Sequence, residues 1–130
     1  MIVHTTSLRV RYKETDQMGV VYYSNYLVWF EVARTELLRH MGHTYREIEQ
    51  EMGLRMMVLE ANCRYKSPAR YDDFLDIVCS VTKIGNSSIT FAYKVMRDQD
   101  LLTEGETLHV FTDTIGRPKR MPQMLREVLS

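Results

Sequence analysis

Asn25-Tyr26-Leu27-Val28-Trp29-Phe30-Glu31-Val32-Ala33-Arg34-Thr35-Glu36-Leu37-Leu38-Arg39-His40-Met41, followed by Gly42, is the stretch that decides the fold. Asn25 can cap a helix by accepting a free N–H of the first turn, and Gly42 can supply the left-handed stop after Met41. Tyr26, Leu27, Val28, Trp29, Phe30, Val32 and Ala33 cover nearly the whole circumference, and a polar face opens only from Arg34 onward, with Glu36, Arg39 and His40. A helix that is apolar all round is buried on several sides. The first half of this one is therefore expected to be enclosed by other elements.

The flanking sequence indicates what encloses it. Upstream, Ser7 to Tyr12 alternates, with Leu8, Val10 and Tyr12 on one side, which predicts a half-buried strand. Lys13 to Ser24 breaks that pattern, contains Gly19 and predicts a loop. Downstream, Thr44 and Glu47 form a capping box for a short second helix that Gly53 ends. The period then changes to two. Leu59 to Lys66, Phe74 to Ile84, Ser88 to Met96 and Leu101 to Thr112 predict strands, the last with Leu102, Leu108 and Val110 on one face. Gly85-Asn86-Ser87 and Asp98-Gln99-Asp100 are the turns, so the neighbours are antiparallel. Met124, Leu125, Val128 and Leu129 predict a short C-terminal helix. The expected architecture is α+β, an antiparallel sheet of about five strands curled around one long central helix.

Composition narrows the function classes. The 130 residues suit one domain, 1–130. A hydrophobic share of 45% and a charged share of 26% describe a globular chain rather than a disordered or membrane one. With 17 Lys+Arg against 17 Asp+Glu, nothing points to nucleic acid or an anionic membrane. A chain near neutrality is poorly protected against self-association, so a homo-oligomer is expected. The start has no basic segment followed by an apolar one, and no run of about 18 apolar residues exists. The expectations are a cytoplasmic location and no integral membrane association. Cys63 and Cys79 sit in strand-like runs and read as reduced, buried thiols.

The chemistry is expected in the segment from Tyr12 to Tyr26. It holds a carboxylate, Asp16, shortly before a helix N-terminus. Such a terminus presents unsatisfied N–H groups and partial positive charge, which stabilise the oxyanion formed when a carbonyl is attacked. A carboxylate opposite can activate water or attack directly. Gly19 suits a tight turn where a ligand approaches the backbone. Against this stands the simpler reading that Asp16 only caps a turn. Glu31 is a second carboxylate, in the apolar half of the helix, with Arg34 at i+3 as its expected partner. Glu36 lies on the polar face. His40 and His43 form H-x-x-H without another obvious ligand, so no metal is expected.

The segment resembles the signature of the 4-hydroxybenzoyl-CoA thioesterase family of hotdog hydrolases. It is most similar to the branch of bacterial acyl-CoA thioesterases that includes the Tol–Pal-associated enzymes. The matching run is Arg11-Tyr12, Thr15-Asp16, Gly19 to Tyr23, Asn25-Tyr26, Phe30-Glu31 and Ala33 to Glu36, with a second match at Ser67 to Asp73. The resemblance implies a hotdog fold and hydrolysis of acyl-CoA to free acid and CoA, without a cofactor. It implies Asp16 as the catalytic carboxylate, nucleophile or base, and the Tyr23 N–H as the donor to the thioester carbonyl. Gly19, Val20, Tyr22, Asn25 and Tyr26 would shape the substrate site, and Ser87 and Ser88 could touch the thioester region. Tyr22, Tyr23, Tyr26, Trp29 and Met57 suit an aromatic or an aliphatic acyl group equally. Lys66, Arg70, Lys83, Arg117, Lys119 and Arg120 are candidates for the CoA phosphates. Hotdog domains also pair edge to edge and share active sites, which implies a dimer or tetramer. A hotdog dehydratase would need a histidine in the site, and His4, His40, His43 and His109 all lie outside the Asp16 loop. A non-enzymatic acyl-CoA-binding or scaffold protein linked to lipid synthesis is the remaining alternative.

Overall fold

The computed structural model describes residues 2–130. The strands are β1 (Val3–Arg9), β2 (Arg55–Tyr65), β3 (Phe74–Ile84), β4 (Ser88–Arg97) and β5 (Asp100–Thr112). The helices are α1 (Asn25–His40), α2 (Tyr45–Gln50) and α3 (Gln123–Leu129). The strands form one sheet in the order β1-β3-β4-β5-β2, every neighbouring pair antiparallel, with β1 and β2 at the edges. This is the expected α+β arrangement of five strands around a long helix.

The sheet holds α1 through one stripe, Tyr26, Trp29, Phe30, Ala33, Leu37 and Leu38, all buried. Spacings of three and four keep these residues on one face. They meet Leu75, Ile77, Cys79, Phe91, Tyr93 and Val95 from the inner face of the sheet. Phe30 stacks on Tyr93 with ring centroids 4.2 Å apart. Gly105 of β5 lies beneath Phe30, where a side chain would run into the ring and into the β2 backbone.

Several details depart from the sequence reading. The first half of α1 is not fully enclosed within the chain: Leu27, Val28 and Val32 stay exposed, Leu27 and Val28 along a groove shared with Val58 of β2. β1 begins at Val3 and stops at Arg9, and Tyr12 lies in a single 3₁₀ turn, Tyr12–Glu14. Ser24, not Asn25, is the cap residue of α1, because the Asn25 side chain turns back to donate to the Glu14 carbonyl at 2.9 Å. In β5 the inward residues are Thr103, Gly105, Thr107, His109 and Phe111, whereas Leu108 and Val110 face outward. A bulge opposite Val95 and Met96 inserts Leu102 and shifts the phase by one residue. Glu31 is exposed and makes no ion pair with Arg34 among the described residues; Glu36 pairs with Arg39 at 3.4 Å. Cys79 is buried and Cys63 half-buried, both as free thiols, and burial pushes both upward in pKa.

Candidate active site

The loop between β1 and α1 is built by its own backbone. Asp16 N–H donates to the Val20 carbonyl (2.9 Å) and Gly19 N–H to the Asp16 carbonyl (3.0 Å). Gly19 closes this turn at φ +79°, a conformation that L side chains rarely adopt. One carboxylate oxygen of Asp16, Oδ1, accepts the Met18 N–H at 2.9 Å. No donor among the described residues reaches the other oxygen. Thr15 and Val21 form an isolated bridge, and Val21 N–H donates to the Ala69 carbonyl (2.8 Å), tying the loop to the β2–β3 connection.

The helix entry follows at once. Tyr22 N–H donates to the Glu14 carbonyl (2.9 Å), Asn25 N–H to Tyr22 and Tyr26 N–H to Tyr23. The N–H groups of Tyr23 and Ser24 are left with no acceptor among the described residues. They are the orphan donors that every helix start produces, here beside the positive end of a dipole.

Asp16, Met18, Val20, Val21, Tyr23, Tyr26, Tyr65, Lys66, Ser67 and Pro68 line a mostly apolar cleft of about 300 Å³. A carboxylate and the residue carrying the free N–H thus share one cavity. Tyr65 donates its hydroxyl to the Tyr23 carbonyl (3.2 Å). Burial, then Cys63, pushes the Tyr65 phenol up to about 12, and burial raises that of Tyr26. Both stay protonated in the neutral range; Tyr65 acts as a donor, whereas the Tyr26 hydroxyl accepts the Ala69 N–H at 3.3 Å.

The other expected site residues divide by place. Val20 and Tyr26 line the cleft. Gly19 shapes the turn, the Asn25 amide is committed to Glu14, and the Tyr22 ring is exposed against Tyr23. Trp29 is buried edge-to-face against Tyr26, and Met57 lies exposed on β2. Lys66 lines the cleft and pairs with Glu104 at 3.7 Å; Arg70 is exposed nearby, in the segment that receives Val21. The cleft sits at the end of the sheet where Arg9 pairs with Phe74 and Tyr65 with Thr103. Ser87, Ser88, Lys83, Arg117, Lys119 and Arg120 lie at the opposite end, where Ser88 pairs with Val110. Within one chain they do not meet Asp16. No histidine lines the cleft, and no group of three metal-ligating side chains occurs among the described residues.

Sequence reasoning missed Glu14, Met18, Val21, Tyr65, Ser67 and Pro68. Tyr65 was accessible as the last inward member of an alternating strand before Pro68. Glu14 had no such signal: its carboxylate is buried against Trp29, fifteen positions away. Burial pushes the acid upward, yet hydrogen bonds from Arg11 N–H, the Trp29 indole and the Arg11 guanidinium outweigh this and hold it below the ordinary carboxylate range.

Strand order, central helix and cleft define a hotdog protein, and comparison with known proteins agrees. Residues 10–129 match the family described as the thioesterase-like superfamily. The chain belongs to that superfamily, and its enzyme class is thioester hydrolase. It is 33% identical over 120 residues to the Escherichia coli acyl-CoA thioester hydrolase YbgC, covering 91% of this chain and 89% of that one. The crystal structure of a hypothetical protein from Aquifex aeolicus superposes with a TM-score of 0.93 at 33% identity, covering 98% and 99% of the two chains. A 4-hydroxybenzoyl-CoA thioesterase bound to 4-hydroxybenzoyl-CoA superposes over 100% of both chains with a TM-score of 0.90; at 22% identity that likeness concerns the fold.

Proposed function

We propose that the protein hydrolyses an acyl-CoA thioester to a carboxylic acid and CoA, with Asp16 as the reacting carboxylate and the Tyr23 N–H as the oxyanion donor. The observation that carries this reading is the single cleft shared by a carboxylate with one uncommitted oxygen and a helix N-terminal residue with a free N–H. The thioester carbonyl accepts from Tyr23 N–H. Either Asp16 attacks the carbonyl, the C–S bond breaks to leave an acyl–Asp16 anhydride and CoA thiolate, and water then hydrolyses the anhydride, or Asp16 deprotonates a water that attacks and the C–S bond breaks directly to the acid. In both routes the attacking water supplies the new oxygen of the acid and the proton that the CoA thiolate takes up. Water and the chain's own groups suffice for this chemistry, so no cofactor is invoked. The acyl group enters between Val20, Tyr26 and Pro68.

The working unit is a homo-oligomer acting in the cytoplasm. β2 is an open edge, its exposed Val58 shares a groove with exposed Leu27 and Val28 of α1, and Met57 and Leu59 on the same strand are exposed too. Such an edge calls for cover, and a second copy pairing β2 with β2 covers strand and helix face together. Antiparallel pairing across a two-fold would bring the partner's basic end, with its Arg117 to Arg120 turn, toward this chain's cleft. Lys66 already lines it and Arg70 is exposed in the adjoining segment, and together these cations suit the CoA phosphates.

The test is Asp16→Asn. It keeps the shape and removes the nucleophilic or basic oxygen, so kcat should fall by about 10²–10⁴-fold, while acyl-CoA binding and folding persist. Glu31→Gln, made beside it, should retain turnover. Near-normal turnover in Asp16→Asn, with loss in a folded Glu31→Gln, would move the chemistry onto α1. Tight acyl-CoA binding without turnover in the wild type would make the protein a binding module instead.

A further inference from the structure

Residue 14 is tied to both sides of the reactive loop. Its carboxylate is buried and all its contacts are internal: Oε1 accepts the Arg11 N–H at 2.7 Å, and Oε2 accepts the Trp29 Nε1–H at 3.0 Å and the Arg11 guanidinium at 3.4 Å. Its carbonyl accepts the Tyr22 N–H and the Asn25 side-chain N–H, each at 2.9 Å. Asp16 follows two residues later, and Tyr23 comes directly after Tyr22. One residue therefore anchors the strand side of the loop through Arg11, the second turn of α1 through Trp29, and the helix entry through Tyr22 and Asn25.

The geometry points to Glu14 as the positioning residue that sets the spacing between the Asp16 carboxylate and the Tyr23 N–H. This rests on the catalytic reading of those two groups. A reacting carboxylate and an oxyanion donor on a mobile loop would sample many separations, and misplacement by about 1 Å can cost on the order of 100-fold in rate. A buried side chain with satisfied hydrogen bonds at both ends removes that freedom. Glutamine cannot replace it. An amide offers one acceptor oxygen and one donor nitrogen, so either Arg11 N–H or the Trp29 indole would face an N–H₂ group.

Glu14→Gln should lower kcat by about 10–100-fold with KM within about twofold, counted per folded site. Glu14→Asp should fail to rescue it, being too short to reach Arg11 and Trp29 together. Trp29 is the only tryptophan of the chain, so its emission reports the clamp without reference to activity, and it should shift to the red in Glu14→Gln. Trp29→Phe removes one donor alone and should lower kcat by about threefold to tenfold; it decides the matter if Glu14→Gln does not fold. The double variant should lose less than the two single losses combined, because the two changes share the Trp29–Glu14 bond. Wild-type kcat in folded Glu14→Gln, or in Trp29→Phe where the former is unfolded, overturns the positioning role while an inert Asp16→Asn leaves the catalytic reading standing. Wild-type turnover in Asp16→Asn overturns that reading itself, and a changed emission in Glu14→Gln then reports packing alone.

Discussion

Replacing Gly105 by alanine adds a single methyl group and is expected to cost the fold heavily. Gly105 sits in β5 directly opposite Cys63 of β2. A Cβ there would overlap the Asn62 carbonyl oxygen outright and lie 2.9 Å from Cε2 of Phe30. Neither neighbour is the free end of a flexible side chain. The oxygen belongs to the paired β2 backbone, and the ring is stacked on Tyr93 in the core. Relief requires β2 to back away by about 1 Å, enough to forfeit a large part of the local contact energy. Overpacking of this kind costs about 1–3 kcal/mol, and weakening one or two ladder hydrogen bonds adds about 1 kcal/mol each. A total near 3 kcal/mol corresponds to a fall of about 10 °C in Tm for a domain of this size. The assay is urea unfolding at fixed protein concentration, since association contributes to apparent stability. The midpoint should drop with the slope unchanged. Because β2 carries Tyr65 to the cleft and to the Tyr23 carbonyl, kcat should fall in the folded variant as well. A loss below about 0.5 kcal/mol, within the range of ordinary surface changes, would refute the close approach of β2 to β5.

Stability should also depend on His109, which is fully buried and held down to about 4, first by burial and then by the positive charge of Arg34. Its folded pKa lies below the ordinary 6.5, so its contribution is complete above that value and is lost as pH falls toward about 4, amounting to at most about 3 kcal/mol; unfolding midpoints for wild type and His109→Gln should converge across that window, and parallel curves would contradict the reading. Val28→Asp combined with Val58→Asp should turn a dimer or tetramer into a monomer in sedimentation velocity at micromolar concentration, and a wild-type monomer with full activity would remove the case for an oligomer.

How much of this was legible in the sequence depended on whether the deciding force was local. The turn at Gly85-Asn86-Ser87, the capping of α2, where Thr44 accepts the Glu47 N–H at 3.1 Å, and the left-handed Gly42 after α1 follow from neighbours in the chain. The Asp16 loop was found because a carboxylate, a glycine and a helix start lie within a few residues. β1 was half missed because its inward side begins with His4 and Thr6, which carry no hydrophobic alternation. β5 was read in the wrong phase for the same reason. Thr107 and His109 face inward as part of a buried polar set, with Thr107 bonded to Tyr93 and to His109, while Leu108 and Val110 face out. A bulge and a buried polar network are tertiary facts, and a hydropathy pattern inverts across them. The surplus apolar surface of α1 was legible, but the reading assigned its cover to this chain. The strand order leaves Leu27, Val28 and Val32 beside an open edge instead.

Two carboxylates two residues apart carry opposite obligations, and their partners explain why one can be exchanged cheaply and the other cannot. Glu14 has taken donors on both oxygens and is closed off from water. Removing its charge leaves a buried donor facing the wrong group, a loss on the order of 1–3 kcal/mol that falls on folding and alignment together. Asp16 is only half-buried, and one of its oxygens has no donor among the described residues. Asparagine can keep the Met18 contact through its own carbonyl oxygen, so the fold barely registers the change. The stability cost should therefore be large at residue 14 and small at residue 16, while the loss of turnover runs in the reverse order. That crossing is the signature of a positioned reactive group beside the residue that holds it. A turn-capping Asp16 would instead show a small loss in both, and a merely structural Glu14 would lose stability with its turnover per folded molecule intact.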